Sequence, residues 1–126
     1  MKKEIIYTDN APKPVGALSQ AVKAGQTVYL AGQVGFDPRT MAVVSLCFDA
    51  QAHQAFKNLQ AVAEAAGGSF RDIVRLNAYL TDVSQFPRFN AIMSEYFTEP
   101  YPARATLGIA ALPQNAVIEI EAVMVL

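Results

Sequence analysis

Residues Asp49–Ala66 read DAQAHQAFKNLQAVAEAA, the segment with the clearest periodicity in the chain. Its apolar side chains recur at steps of three and four residues, which predicts one stripe along an α-helix. The stripe consists of Ala52, Ala55, Phe56, Leu59, Val62, Ala63 and Ala66. Asp49 suits the N-cap, and Gly67-Gly68 favours a left-handed stop. We therefore expect one helix with a buried side and a polar side.

Segments rich in β-forming residues lie on both sides of this helix. Before it we predict three strands, the last two joined by a Gly25-Gln26 hairpin turn: Lys3–Thr8, Gln20–Ala24 and Thr27–Ala31. Gly32–Val44 is predicted as a loop or ragged hairpin. After the helix we predict a strand, a second helix and two more strands: Ile73–Leu80, Ser84–Phe97, Ala103–Ile109 and Ala116–Leu126.

The resulting order, β-β-β-α-β-α-β-β, predicts an α+β fold. Each helix has a single apolar stripe, so we expect both helices on one face of one sheet. In the last strand, the side chains of Ile118, Ile120, Ala122, Met124 and Leu126 alternate with a second set that is apolar except for Glu119 and Glu121. An apolar second face needs its own partner, so we expect subunits to pack sheet against sheet.

Composition excludes several classes of protein. The chain has 126 residues, 52% of them hydrophobic and 17% charged, with a net charge of −1. This predicts one ordered domain over residues 1–126 and, without a clustered basic patch, no nucleic-acid partner. Since no apolar run suits a secretory signal or a membrane span, we expect a cytoplasmic protein with no membrane partner. One cysteine and one histidine predict neither a disulfide nor a metal site.

Arg104 is the strongest candidate for chemistry. It is the only charged residue between Glu99 and Glu119, in a strand whose other members are apolar or small. A guanidinium held there presents a fork of N–H donors that matches a carboxylate. Two other interpretations stay open: Arg104 pairs with Glu119 or Glu121, or its head extends to solvent.

Five other positions have weaker signals. Glu119 and Glu121 share a face, where one of two nearby carboxylates in an apolar setting can transfer protons, although a solvated pair is the commoner outcome. Asn90 lies off the apolar stripe of the second helix and offers an amide to a ligand, although an exposed helical Asn is the commoner outcome. His53 lies on the polar side of the first helix, so we expect it to be solvated. Cys47 precedes that helix and is expected to be a buried, inert thiol.

Several motifs resemble those of the Rid family (RidA/YjgF type, reactive intermediate deaminases). The first half of the chain contributes Asn10-Ala11-Pro12, Val15-Gly16, Ser19-Gln20-Ala21-Val22 and Leu30-Ala31-Gly32-Gln33-Val34. The second half contributes Pro102-Ala103-Arg104 and Ile118-Glu119-Ile120-Glu121-Ala122. The resemblance covers nearly the whole chain, in the family's order.

This resemblance implies a chorismate-mutase-like mixed sheet with two helices on one face, assembled as a homotrimer with clefts between subunits. It also implies hydrolysis of enamines and imines such as 2-aminoacrylate to 2-oxo acids and ammonia, with no cofactor and no metal. Arg104 would hold the carboxylate of a small substrate, and Glu119 would position or activate water. Asn90, Gly32 and Thr106 would contact the substrate.

Three positions depart from the RidA pattern. Leu18 stands where an aromatic residue is usual, Ala31 where serine is frequent, and Thr106 where cysteine is common. All three are substrate-binding positions by the resemblance. The hydroxyl groups lost at Leu18 and Ala31 make the mouth of the expected cleft more apolar, which favours a substrate bulkier or more apolar than 2-aminoacrylate, or slow turnover. Two alternatives therefore stay open: a non-catalytic protein that binds or senses a 2-oxo acid and, with less support, an endoribonuclease.

Overall fold

The computed structural model describes residues 2–126 and contains one mixed β-sheet. Its strands are β1 (Lys3–Ile6), β2 (Ala21–Ala24), β3 (Thr27–Val34), β4 (Ile73–Leu80), β5 (Ala103–Gly108) and β6 (Ile118–Val125). They lie side by side in the order β1-β2-β3-β6-β4-β5. Neighbouring strands are antiparallel except for β4 and β5, which run parallel. β6, the last strand of the chain, therefore joins the two halves of the sheet.

Two α-helices complete the fold, α1 (Phe48–Ala65) and α2 (Phe86–Met93). The predicted order of strands and helices is confirmed. The second helix is shorter than the predicted Ser84–Phe97, because a 3₁₀ turn (Val83–Gln85) precedes it. After Met93 the chain continues in hydrogen-bonded turns, in which Phe97 N–H donates to Met93 C=O at 3.0 Å.

The start of α1 differs from the prediction. Asp49 is not the N-cap: that position is Cys47, in extended backbone and with no side-chain capping bond. The Asp49 carboxylate instead accepts a hydrogen bond from Arg88 Nε of α2 at 2.8 Å and forms an ion pair with Arg88 Nη2 at 2.6 Å. The end of the helix is as predicted, since Gly67 has a φ of +94° and Gly68 N–H donates to Ala63 C=O at 3.1 Å.

Both helices pack on one face of the sheet, as predicted, and the core lies between the two layers. From β6, the alternate residues Ile118, Ile120, Ala122 and Met124 enter this core. Phe56 of α1 lies at its centre, fully buried, and stacks on Tyr96 with ring centroids 4.8 Å apart. The stripe predicted for the first helix therefore forms one wall of the core.

The opposite face of the sheet carries no helix of the described chain, residues 2–126. It exposes large apolar side chains, among them Ile5 (57% exposed), Tyr29 (55%), Leu107 (52%) and Val125 (44%). We call this surface the open face. That subunits cover it stays a prediction.

Candidate active site

Arg104 belongs to β5, the edge strand, and lies on the helix side of the sheet. Its neighbour in the β4–β5 register is Leu76, which is fully buried beneath the helices. Arg104 Nη1 donates to Asn90 Oδ1 of α2 at 2.6 Å and lies 3.5 Å from Met93 Sδ. Phe86 and Phe89 hold the guanidinium carbon at 5.3 and 5.5 Å from their ring centroids, within the range of cation–π attraction.

The half-buried guanidinium has no carboxylate partner among residues 2–126. The ion pairs in that range are Arg39–Asp37 and Arg88–Asp49, so the interpretation that Arg104 pairs with Glu119 or Glu121 is wrong. Nε and Nη2 of Arg104 make no hydrogen bond within the described chain. The side chain borders a cavity of about 480 Å³, which also contacts Asn90, Ser94 and Tyr101. We call this space the Arg104 cavity.

Glu119 belongs to β6 and points to the open face. It lies against Gly32 so closely that a Cβ at Gly32 would be 2.7 Å from Glu119 Oε2. The β3–β6 pairing is irregular between Leu30 and Gln33, and this irregularity contains Ala31 and Gly32. Burial, and to a smaller extent the charge of Glu121, raise the pKa of the half-buried Glu119 carboxyl.

A second cavity, of about 230 Å³, contacts Glu119 and Gly32. We call it the Glu119 cavity. Much of its wall is apolar and comes from the loops on either side of β2 and β3, including Val15, Leu18 and Met41. Such walls keep the Glu119 carboxyl poorly solvated, which agrees with its raised pKa.

Glu121 shares the open face with Glu119, as the alternation predicted. In the β4–β6 register, Glu121 is paired with Asn77 and Glu119 with Tyr79. Glu121 Oε2 accepts a hydrogen bond from Tyr79 Oη, and this bond raises the pKa of the Tyr79 hydroxyl. Glu121 is therefore held by a neighbour, whereas Glu119 has no hydrogen-bond partner among the side chains of residues 2–126.

Arg104 and Glu119 do not meet within one copy of the chain. β4 lies between their strands, and their side chains project from opposite faces of the sheet. Arg104 is level with Leu76, whereas Glu119 is level with Tyr79, three positions further along β4. A sheet with side chains on both faces is about 10 Å thick, more than a small carboxylic acid can span. A substrate that contacts both groups would need a second copy.

Three of the remaining predicted site residues border one of the two cavities, and two do not. Asn90 lies beside Arg104, and Leu18 and Gly32 border the Glu119 cavity. Thr106 follows Arg104 on the helix side of β5, and its buried Oγ1 has no hydrogen-bond partner within residues 2–126. Ala31 borders neither cavity; its N–H donates to Gln20 C=O at 2.9 Å.

Two expectations about single residues are wrong. His53 is half-buried rather than solvated, because its Nδ1 is hydrogen-bonded to Tyr96 Oη at 2.7 Å. Cys47 is exposed rather than buried. Neither residue borders the Arg104 cavity or the Glu119 cavity.

The sequence analysis missed the buried amides that hold the loops near Glu119. Gln20 binds the backbone of Thr8 through both its amide atoms and also donates to Pro12 C=O at 2.9 Å. Gln51 donates to Ser45 C=O and accepts from Val117 N–H, both at 2.8 Å. A signal was present for Gln20, which belongs to a family motif, but a glutamine inside a helix gives no comparable sign.

Two further properties of residues 2–126 concern metal ions and membranes. Residues 2–126 contain no group of three His, Cys, Asp or Glu side chains placed to hold a metal ion. Neither helix in this range has the length and apolar character needed to cross a bilayer.

Comparison with known proteins places this geometry in a family. A family model described as Endoribonuclease L-PSP matches residues 8–126. The chain is 46% identical to a protein of Dermatophagoides farinae named 2-iminobutanoate/2-iminopropanoate deaminase, over 98% of this chain and 97% of that one. The chain belongs to the Rid family.

Further relatives agree with this assignment. The Rid protein described here is 40% identical to Reactive Intermediate Deaminase A, chloroplastic, of Arabidopsis thaliana, over 100% of this chain and 67% of that one. It superposes on the crystal structure of RidA from an Antarctic Psychrobacter with a TM-score of 0.95 and 50% identity, covering 98% of this chain and 99% of that one. The predicted family and its mixed α+β fold are confirmed.

Proposed function

We propose that this Rid protein hydrolyses 2-imino acids, and the enamines from which they form, to 2-oxo acids and ammonia. Arg104 carries the proposal: a guanidinium with free N–H donors at a cavity, and without a carboxylate neighbour in the described chain, suits a small carboxylate. The relative named 2-iminobutanoate/2-iminopropanoate deaminase acts, by its name, on compounds of this class. The proposed substrate class is thus supported by the geometry around Arg104 and by similarity to this relative.

The role of Arg104 is to bind and orient. Asn90 Oδ1 and the rings of Phe86 and Phe89 fix its guanidinium before a ligand arrives. A carboxylate bound by Nε and Nη2 would be held through two parallel hydrogen bonds, which sets the direction of the adjacent imine carbon. Thr106 lies two residues after Arg104 on the same side of β5, and its Oγ1 is buried without a partner in residues 2–126, so it would bond a polar substrate atom only if the site opens toward it.

The role of Glu119 is to handle protons. A water molecule held by its carboxylate would attack the imine carbon: the C–O bond forms, the C=N π pair moves to nitrogen, and Glu119 passes the first water proton to that nitrogen, which gives a carbinolamine. When the C–N bond breaks, Glu119 takes the hydroxyl proton and gives it to nitrogen, so that the C=O bond forms and ammonia leaves. The raised pKa of the Glu119 carboxyl lies closer to neutral pH than that of an ordinary carboxyl, which suits a group that both accepts and returns a proton. Water is the only co-reactant, so the step needs no cofactor and no metal.

Two copies of the chain would form each site. Arg104 and Glu119 project from opposite faces of one sheet, so the reaction requires Arg104 of one copy and Glu119 of another. The apolar open face supplies the surface on which copies can associate. The homotrimer that the family resemblance implies, with its clefts between subunits, satisfies this requirement.

A coupled assay tests the proposal. An amino-acid oxidase generates the 2-imino acid in the cuvette, and its decay is followed with and without the Rid protein. We expect faster decay with the protein, and no acceleration by Arg104→Ala, because a substrate without its charge-assisted bonds loses about 1.5–3 kcal/mol and its orientation. Decay at the protein-free rate would refute the activity.

The alternatives are separated by binding measurements. Saturable binding of 2-oxobutyrate without imine hydrolysis identifies a small-carboxylate binding or sensing protein. The name of the family model motivates an assay for ribonuclease activity, but the net charge of −1 argues against tight RNA binding. RNA affinity that falls steeply with salt would reverse that conclusion.

A further inference from the structure

A third cavity, of about 550 Å³, lies apart from both regions described above. It is bordered by the end of α1, by the 3₁₀ turn Phe70–Asp72, and by the chain between α2 and β5. The turn precedes β4 and the connecting chain precedes β5. The cavity therefore lies at the end of the sheet where these two parallel strands begin. We call it the aromatic cavity.

Two stacked rings form one wall of this cavity. Phe70 and Phe97 have ring centroids 4.6 Å apart and planes inclined by only 7°. Each ring is almost fully buried, and Phe56 of the core packs edge-on against both. The wall is therefore apolar and packed against the core, and only a small part of each ring is open to the cavity, since Phe70 is 7% and Phe97 5% exposed.

Groups of opposite charge border the same space. Arg71 and Glu99 both line the aromatic cavity, and neither takes part in the ion pairs found among residues 2–126. The neutral side chains of Gln60 and Thr98 also line it and make no side-chain hydrogen bond within that range. An apolar wall with a few convergent polar groups is the usual character of a small-molecule site.

From this arrangement we propose that the aromatic cavity binds a free α-amino acid with an aromatic or large apolar side chain. Arg71 binds its carboxylate, Glu99 binds its ammonium group, and its side chain packs on Phe70 and Phe97. A simple carboxylic acid would leave Glu99 unpaired, and a simple amine would leave Arg71 unpaired, so a zwitterion fits both charges. A 2-imino acid is the two-electron oxidation product of an α-amino acid, but this proposal does not depend on the proposed function.

One segment separates the aromatic cavity from the Arg104 cavity. Thr98–Pro100 borders the first, and Tyr101 and Pro102 border the second. Because Arg104 would also attract the carboxylate of an amino acid, a binding experiment must distinguish the two locations. Arg104→Ala serves this purpose, since it removes the second binding group and leaves the aromatic cavity intact.

L-Phenylalanine is the probe, titrated by calorimetry and by NMR of the backbone amides. We expect saturable binding that survives in Arg104→Ala, with the largest shifts at residues 69–71 and 97–99. Arg71→Ala should weaken binding about threefold to fivefold, as should Glu99→Gln, because each removes one charge-assisted contact of an exposed side chain.

Two analogues make the test specific. 3-Phenylpropionate lacks the ammonium group, so its affinity should respond to Arg71→Ala and not to Glu99→Gln. Phenethylamine lacks the carboxylate, so its affinity should respond to Glu99→Gln and not to Arg71→Ala. Lack of saturable binding, loss of phenylalanine binding in Arg104→Ala, or equal responses of both analogues to both variants would overturn the proposal.

Discussion

Gly32 and Glu119 are in such close contact that a methyl group at Gly32 would lie 2.7 Å from Glu119 Oε2. Real Cβ atoms do not approach an oxygen so closely, so any side chain at this position must displace the carboxylate. Gly32 is needed here for space and not for a left-handed backbone. The site therefore depends on a residue that has no chemical group of its own.

Gly32→Ala should lower kcat for imine hydrolysis at least about tenfold, because the displaced carboxylate no longer holds its water in line. It should lower the free energy of unfolding by less than about 1 kcal/mol, because the atoms nearest the added methyl group belong to the end of the flexible Glu119 side chain, which can move aside. Urea denaturation measures the second effect.

A double-mutant cycle with Glu119→Ala is the control for Gly32→Ala. Once the Glu119 side chain is truncated, the three atoms nearest to the added methyl group are gone, so Gly32→Ala should have less effect on stability in that background. An undiminished loss of stability there would show that the strain lies in the backbone.

Protein stability should depend on pH through Glu119. Burial raises the pKa of its carboxyl, so the folded state keeps this proton at pH values where the unfolded chain has lost it. The contribution of Glu119 to stability therefore falls as the pH rises through the ordinary carboxyl range up to the raised pKa. Over this pH interval we expect the free energy of unfolding of Glu119→Gln to rise relative to that of the wild type. Urea denaturation at several pH values measures the difference. A difference between the two proteins that does not change with pH contradicts this account.

The pH dependence of enzyme activity should also report the raised pKa of Glu119. If ionised Glu119 activates water, kcat/KM should fall at acid pH, with a midpoint above that of an ordinary carboxyl group. Glu121→Gln removes a charge that raises the pKa of Glu119, so the midpoint should move to lower pH. Tyr79→Phe is the matched control: it removes the hydrogen bond to Glu121 but leaves the charge, so the midpoint should not fall.

The order of the elements was predictable because it depends on local periodicity. The stripe from Ala52 to Val62 and the alternation along β6 each specify a buried side by themselves. The errors arose where a distant residue changes the local outcome. Asp49 would suit an N-cap, but Arg88, 39 positions later, binds its carboxylate. His53 occupies the polar side of a helix, but Tyr96 covers it.

The site was predictable as a list of residues and not as an arrangement. Alternation places Glu119 opposite the buried set of β6, but no local pattern shows that Arg104 faces the helices. That direction depends on the register of β5 with β4, a pairing between residues 28 positions apart, such as Leu76 and Arg104. The separation of the two groups by the sheet, and with it the need for a second copy, appears only in three dimensions.

Anion binding should be lost when Arg104 is given a permanent partner. Asn90→Asp has nearly the shape of the original side chain and places a carboxylate at the atom that now accepts from Arg104 Nη1 at 2.6 Å. We expect the affinity for 2-oxobutyrate, measured by calorimetry, to fall at least about tenfold, since the new carboxylate neutralises the guanidinium. Ser94→Asp adds the same charge to the same cavity at a residue that makes no bond to Arg104, and should weaken binding much less. Equal losses would mean that general repulsion, and not the contact with Arg104, controls binding.

Removing the Gln51 side chain should be costly to stability. It is fully buried on α1 and joins Ser45 C=O to Val117 N–H, directly before β6. Gln51→Ala leaves both partly buried backbone groups without this partner and empties a fully buried space, so the free energy of unfolding should fall by about 2–4 kcal/mol. Gln54→Ala, on the same helix, removes one bond to the Asn58 side chain at a partly buried site, and its effect should stay below about 1.5 kcal/mol. Because Val117 leads into the strand that carries Glu119, Gln51→Ala should also lower kcat, whereas Gln54→Ala should not. Equal effects of the two variants on stability would mean that the contact between α1 and β6 depends on apolar packing alone.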